Sequence, residues 1–237
     1  WEFFSRVVVN NALFLAAPTQ IVGAIVNLSA TGELQHHMAV SGLEFIVGYV
    51  LASVLGIALG VGMASSPAIK QVAQPWVSGL YATPTIALAP LFILWFGIGI
   101  ASKIVLAFSL GYFIMLLSTL GGLKNVDRDL LLMSRLFGAS QLRLFRDVRL
   151  PWALPGIFAG LRLTLIYCSA GAVIGEMISA KSGLGLLVQS FSGRFDVAGV
   201  MALILVVAAM VMGLTALMDF AERRLFEWSK GSTDVPG

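Results

Sequence analysis

LKNVDRDLLLMSRLFGASQLRLFRDVRLPWALPG, residues 123–156, is a polar interruption in an oily chain, and what it interrupts decides the fold. The stretch holds six of the fifteen basic residues of the protein, together with Gly138, Pro151 and Pro155. Residues 104–123 carry no charge and 153–175 carry only Arg162. Further out, 45–69, 71–102 and 197–218 carry none. A helix crosses a hydrocarbon core of about 30 Å with about 20 apolar residues, so each of these stretches is long enough to span. Of the 237 residues 58% are hydrophobic and 11% charged, with a mean hydropathy of +0.93, against about 25% charged in soluble domains. The expected fold class is an all-α integral membrane protein, a helical bundle with five visible spans.

Orientation follows from the basic residues, which are retained on the cytoplasmic side. Lys70, Lys124, Arg128, Arg135, Arg143, Arg146, Arg149, Arg223, Arg224 and Lys230 fall in one alternating set of loops. The other set holds Lys103, Lys181 and Arg194, and Arg6 lies in the N-terminal stretch. The first set belongs inside, so the C-terminus is cytoplasmic. The expected organisation is an extracytoplasmic segment over 1–41, a membrane domain over 42–228 containing a cytoplasmic segment at 124–152, and a cytoplasmic tail at 229–237. The sequence starts at Trp1, and one more span upstream would bring the intact chain to six.

Within 1–41, Asn10, Asn11, Pro18, Gln20 and Asn27 make a span costly. Pro18 can open an amphipathic helix with Ile21, Ile25 and Leu28 on one face, either lying on the surface or packed in the bundle. No secretory signal with a cleavage site is visible. The net charge of +3 reflects loop bias, and no nucleic-acid partner is expected. Cys168, the single cysteine, lies inside a span and forms no intrachain disulfide. His36 and His37 lack the spacing and carboxylate company of a metal site; no metal is expected, and a surface role fits them.

Gly56 and Gly60, Gly156 and Gly160, and Gly171 and Gly175 are pairs on one helix face that let a neighbouring backbone approach. In YATPTIALAP, residues 81–90, Pro84 and Pro90 each remove a donor. Broken helix at membrane depth is tolerated where protein or a water-filled cavity satisfies the freed carbonyls, so the kink either faces a conduit or is structural. Tyr81, Thr83, Pro84, Thr85, Trp95 and Tyr112 are candidates to line a path, although aromatic residues also belt the interfaces. Arg162 is within snorkelling reach of the cytoplasmic face. Glu176, near the outer end of its span, either shapes an entrance or else stabilises a gate or caps a loop.

In the polar island, Asp127 can cap a helix from Arg128 with Leu130, Met133 and Phe137 at helical spacing before Gly138, a left-handed stop. Ser140 opens a second short helix, on which Leu142 and Phe145 share a face and Arg143 and Asp147 pair at i,i+4. Pro151 and Pro155 close it before the next span. Two short helices folded at a glycine form a rigid knob with apolar tips and a basic rim. The alternative is a solvated loop folded back on its own bundle.

Gly138, nine residues, then Val148-Arg149-Leu150-Pro151 resembles the cytoplasmic signature of permeases of binding-protein-dependent ATP-binding cassette (ABC) importers, E-A-A-x3-G-x9-I-x-L-P. LAPLFILWFGIG (88–99), LFGAS (136–140), LPGIFAGLRL (154–163) and GEMISAKSGLG (175–185) are similar to the nitrate, sulfonate and taurine branch of that family. Two departures stand out. Leu132, Met133 and Ser134 replace Glu-Ala-Ala, so no carboxylate role transfers there, and Glu44 stands where relatives commonly have a basic residue.

The resemblance implies a type I ABC importer permease in a bacterial inner membrane, working as a pair of permease chains with surrounding lipid. It also implies two cytoplasmic ATPase subunits that hold ATP and Mg, and an extracytoplasmic binding protein that delivers a small solute, an organic or inorganic anion such as a sulfonate, taurine or nitrate. The implied coupling residues are Ser134, Arg135, Gly138, Ala139, Ser140, Leu142, Arg143, Phe145, Arg146, Leu150 and Pro151. The implied path residues are Tyr81, Thr83, Pro84, Thr85, Tyr112 and Glu176. The chain has no G-x4-G-K-[ST] phosphate cradle, so it is not expected to be an enzyme or to hold a cofactor. An ion-gradient-driven secondary transporter or channel would call for coupled ionisable groups at the midplane in repeated halves, and neither is seen. A membrane-embedded enzyme would need a nucleophile, metal or acid/base cluster, which the sequence also lacks.

Overall fold

Four of the five apolar stretches are single long helices in the computed structural model, which describes residues 1–9 and 14–225. Asn10, Asn11, Lys230 and the tail at 229–237 lie outside the described residues. The four helices are α2 (Glu33–Ser65), α5 (Ile100–Lys124), α8 (Leu150–Ile178) and α10 (Val197–Leu225). The fifth stretch is broken. α3 (Pro67–Ala82) and α4 (Ala89–Phe96) are joined through a 3-10 turn at Thr85–Leu88, and the two halves bend by 83°. Pro84 is the cause: the residue before a proline is pushed out of the helical region, and Thr83 sits at φ −77°, ψ 129°. The Thr83 hydroxyl donates to the Gly79 carbonyl at 3.0 Å and its N–H to the Leu80 carbonyl at 3.1 Å, which satisfies groups freed by the break.

α2 begins well before the boundary expected at residue 42. Gly32, at φ +77°, turns the chain into a 33-residue helix about 50 Å long at 1.5 Å per residue. Residues 33–41 are therefore helical and continuous with the first long apolar helix. Their polarity misleads the sequence reading because His37, Ser41 and Glu44 occupy one face and are covered by protein. α1 (Pro18–Ala30) starts on Pro18 with the Gln20 side chain accepting the Ala17 N–H at 2.9 Å. Its face of Ile21, Ile25 and Leu28 packs against Ala202 and Leu203 of α10. Ahead of it, the Glu2 carboxylate accepts from the Thr19 hydroxyl and amide and ties the N-terminal turn to α1.

The centre of the bundle is a three-helix block of α2, α5 and α8 locked at glycines. A Cβ at Gly48, Gly56 or Gly60 of α2 would meet Ala107, Met115 or Thr119 of α5 at 2.8 Å. One at Gly160 would sit 2.5 Å from Ser118, and one at Gly171 would sit 2.8 Å from the Ala107 backbone. At Gly56, Gly60, Gly160 and Gly171 the neighbouring helix therefore leaves room for hydrogen alone, whereas at Gly156 and Gly175 the nearest atoms stand at 3.2 Å. Arg162 does more than reach for the interface. It forms ion pairs with Asp219 at 2.6 Å and with Glu222, tying α8 to the C-terminal end of α10. After α8 the chain turns back into α9 (Leu184–Gly193), and Phe195, at φ +57°, leads into α10.

Candidate coupling segment and membrane path

The island folds at the residues that sequence reasoning names. Asp127 accepts the Asp129 N–H at 2.9 Å and opens α6 (Arg128–Leu136). Gly138 takes φ +78°. Its N–H donates to Arg135 O at 2.9 Å and the Ala139 N–H to Ser134 O at 3.0 Å, the paired bonds of a Schellman stop. Ser140 then caps α7 (Gln141–Arg143), accepting the Arg143 N–H at 3.4 Å. Ser134, Arg135, Gly138, Ala139 and Ser140 thereby make one closed corner.

Beyond that corner the structure departs from expectation in three ways. Pro151 and Pro155 do not end the second arm. α7 runs through a π-helical turn at Leu144–Arg149 directly into α8, giving a helical rod over Gln141–Ile178. The wider turn lies just where Pro151 lacks a donor and crowds the preceding turn, so the helix bulges instead of breaking. Arg143 and Asp147 do not pair. The ion pairs found among the described residues lie elsewhere, because a π turn carries i+4 neighbours out of register. Phe145 is no free tip: with Leu150 it packs onto Met115, Leu123, Ala153 and Ile157 of its own bundle, beside fully buried Leu144.

The outward apolar surface is instead Leu132, Met133, Leu136, Phe137 and Leu142, with Leu136 and Phe137 87% and 86% exposed. Arg135, Arg143 and Arg146 are exposed around them. Sequence reasoning used Phe137 only as a helix-face marker and left out Leu136. Their position in the last turn before a left-handed glycine, where a helix end projects, is the signal that could have found them. The base of the segment is folded on its bundle, while its tip is free.

The path candidates separate into two places. Tyr81, Thr83, Pro84 and Thr85 sit together at the break between α3 and α4. The exposed Tyr81 ring meets Phe113 edge-on at 5.9 Å, next to half-buried Tyr112 and Phe108 at 5.2 Å. Glu176 lies elsewhere, on α8. It is 0% exposed, and its oxygens accept from the Ser41 hydroxyl and the Gly185 N–H, both at 2.6 Å. Its carboxylate thereby caps the start of α9. His37 is likewise no surface residue, since its Nδ1 accepts the Gly183 N–H at 2.8 Å.

Lys103, read as a loop residue, is 1% exposed and donates from Nζ to the Ile98 and Gly99 carbonyls at 2.8 and 3.1 Å. Glu44 is buried within electrostatic reach of Lys103 and Glu176. No cluster of three metal-ligating side chains occurs among the described residues.

A helical membrane bundle with a broken inner helix and a glycine-cornered segment projecting between two spans is the permease architecture of type I ABC importers. The same fold occurs in the inward-facing MetNI methionine ABC transporter, at a TM-score of 0.67 and 20% identity over 82% of this chain and 94% of that one. It also occurs in an amino acid ABC transporter solved with histidines, at 0.67 and 16% over 84% and 97%. The chain belongs to the family of binding-protein-dependent transport system inner membrane components, whose model matches residues 52–227.

Among curated relatives, the riboflavin transport system permease RibX of Chloroflexus aurantiacus is 31% identical, covering 92% of this chain and 81% of that protein. The formylaminopyrimidine transport permease ThiX of Halalkalibacterium halodurans is 31% identical over 97% and 91%. The taurine transport system permease TauC of Escherichia coli is 31% identical over 96% and 85%. This chain is therefore a membrane permease subunit of an ABC importer, and nucleotide hydrolysis belongs to a separate subunit.

Proposed function

We propose that two copies of this permease form the path for a small anion, of the sulfonate, taurine or nitrate kind, across a bacterial inner membrane, with the C-terminus in the cytoplasm. Two cytoplasmic ATPase subunits, holding ATP and Mg, dock on the 124–152 segment, and an extracytoplasmic binding protein delivers the cargo. The carrying observation is the exposed apolar tip at Leu136, Phe137 and Leu142 on a corner closed at Gly138. Exposed apolar clusters mark interaction sites, and Arg135, Arg143 and Arg146 supply a rim for an acidic cleft. Leu150, Pro151 and half-buried Phe145 fix the angle between corner and bundle. A bistable partner that grips such a corner biases the access state of the bundle.

The taurine relative supports an anionic cargo. The riboflavin and pyrimidine relatives stand at the same identity, so the receptor decides. The experiment is copurification of the permease with its ATPase from membranes, followed by ATP hydrolysis and cargo-binding assays on the cognate receptor. A stable, ATP-hydrolysing complex supports the coupling role. Uptake driven by an ion gradient through this chain alone would overturn it. A receptor that binds only flavins or pyrimidines would replace the cargo.

A further inference from the structure

The first three amide groups at the start of α9 are each held by a side chain from another part of the bundle. The Gly183 N–H donates to His37 Nδ1 at 2.8 Å, the Leu184 N–H to Ser41 Oγ at 2.7 Å and the Gly185 N–H to Glu176 Oε2 at 2.6 Å. The Ser41 hydroxyl in turn donates a hydrogen bond to Glu176 Oε1 at 2.6 Å, so the carboxylate governs two of the three anchors. Donors at a helix start have no partner within the helix, and a carboxylate there also complements the helix dipole.

The fit leaves no slack. A Cβ at Gly183 would lie 2.3 Å from Glu176 Cδ, and one at Gly185 would lie 2.3 Å from the Val173 carbonyl. This accounts for both glycines of the 183–185 triplet. The mechanism derived above uses none of these residues.

Glu176 sits at the far end of the helical rod that starts at Gln141 on the docking corner. We infer that Glu176, with Ser41 and His37 as partners, is a positioning residue that locks the 179–183 loop and α9 to the outer end of α8, so that the stroke received at the corner reaches the extracytoplasmic end. This rests on the proposed coupling role. Without the clamp, α8 still moves, but the loop no longer follows it.

The test uses the intact transporter, permease with its copurified ATPase in nanodiscs, in a Cys168→Ala background that leaves this chain without cysteine. Lys181→Cys on the exposed outer loop and Gln141→Cys on the corner serve as separate reporters. Each is read as the rate of alkylation by a membrane-impermeant maleimide, with and without ATP plus vanadate. With Glu176 present, both rates respond to nucleotide. In Glu176→Ala the outer response is expected to shrink by about tenfold, as the loss of bonds to a buried carboxylate allows, while the inner response and ATP hydrolysis persist.

Retention of the outer response overturns the inference, and so does loss of both responses together, which would mean a general structural defect. If Glu176→Ala does not assemble, Ser41→Ala, which removes only the Leu184 anchor and one donor to Glu176, decides by the same comparison. If neither reporter responds in the parent, the coupling role itself fails, independently of the clamp.

Discussion

Phe137→Ala isolates docking from folding. The ring is 86% exposed and touches no core cluster of its own subunit, so its removal leaves insertion and melting temperature unchanged. In the assembled transporter the same ring is expected to be buried. Burying a Phe side chain is worth about 1.5–3 kcal/mol, and truncating a central interface residue costs about 2 kcal/mol or more. At about 1.4 kcal/mol per factor of ten, the dissociation constant of the ATPase rises roughly 10- to 100-fold. Leu136 is adjacent, so the double variant is not simply additive. The assay is titration of purified ATPase onto permease in nanodiscs, followed by transport-linked ATP hydrolysis. Phe145→Ala is the contrasting variant: its ring packs on Met115, Leu123 and Ile157, so it lowers melting temperature first. Dissociation constants within twofold of the parent for Phe137→Ala, Leu136→Ala and Leu142→Ala would refute the docking argument.

Gly138→Val places a β-branched residue at φ +78°, which costs at least about 1–2 kcal/mol; insertion should persist while ATP hydrolysis separates from uptake, and coupled transport at parental yield would count against the corner. Gly111→Ala drives a Cβ to 2.3 Å from Cys168 Sγ, an overpacking of about 1–3 kcal/mol. Melting in detergent should fall, and Cys168→Ala should restore more than half of the loss. Arg162→Gln removes two ion pairs to α10 whose side chains are 22% to 40% exposed. Solvent screening limits the effect to about 1 kcal/mol, and the difference from the parent should narrow at high salt.

Composition and charge spacing made the membrane bundle legible, and one proline made its break legible. The corner was readable to the residue because its signals are local: Asp127, Gly138 and Ser140 act on their own neighbours. What could not be read depended on distant partners. Glu44, Ser41 and His37 look like the polar rim of a span, yet the first two are buried and His37 is half-buried, because α5, α8 and the α9 start bring Lys103, Glu176 and three amides to them. Periodicity put Phe145 and Leu142 on one face. The π turn at Leu144–Arg149 rotates the later residues inward and leaves Leu142 outside, and a helix-period argument has no term for such a turn.

A corner can transmit force only through elements that neither bend nor slide, and the chemistry of α8 meets both needs. Pro151 is accommodated by the π turn just ahead of it and Pro155 lies within the helix, so the axis continues from Gln141 to Ile178. Its glycines would weaken an isolated helix, but Gly160 and Gly171 sit where a Cβ would strike α5, within 2.5 and 2.8 Å. Close-packed contacts of this kind resist gradual sliding, because packed interiors shift between discrete arrangements instead of deforming smoothly. α2 is held to α5 in the same way through Gly48, Gly56 and Gly60, so under the proposed coupling a push on the corner is expected to move α2, α5 and α8 together. α10 meets that body mainly through side chains and the Arg162 pairs, and leaves Ile204, Leu205, Met212 and Leu217 exposed. Relative motion is cheapest along its face, where no backbone-to-backbone lock has to be undone.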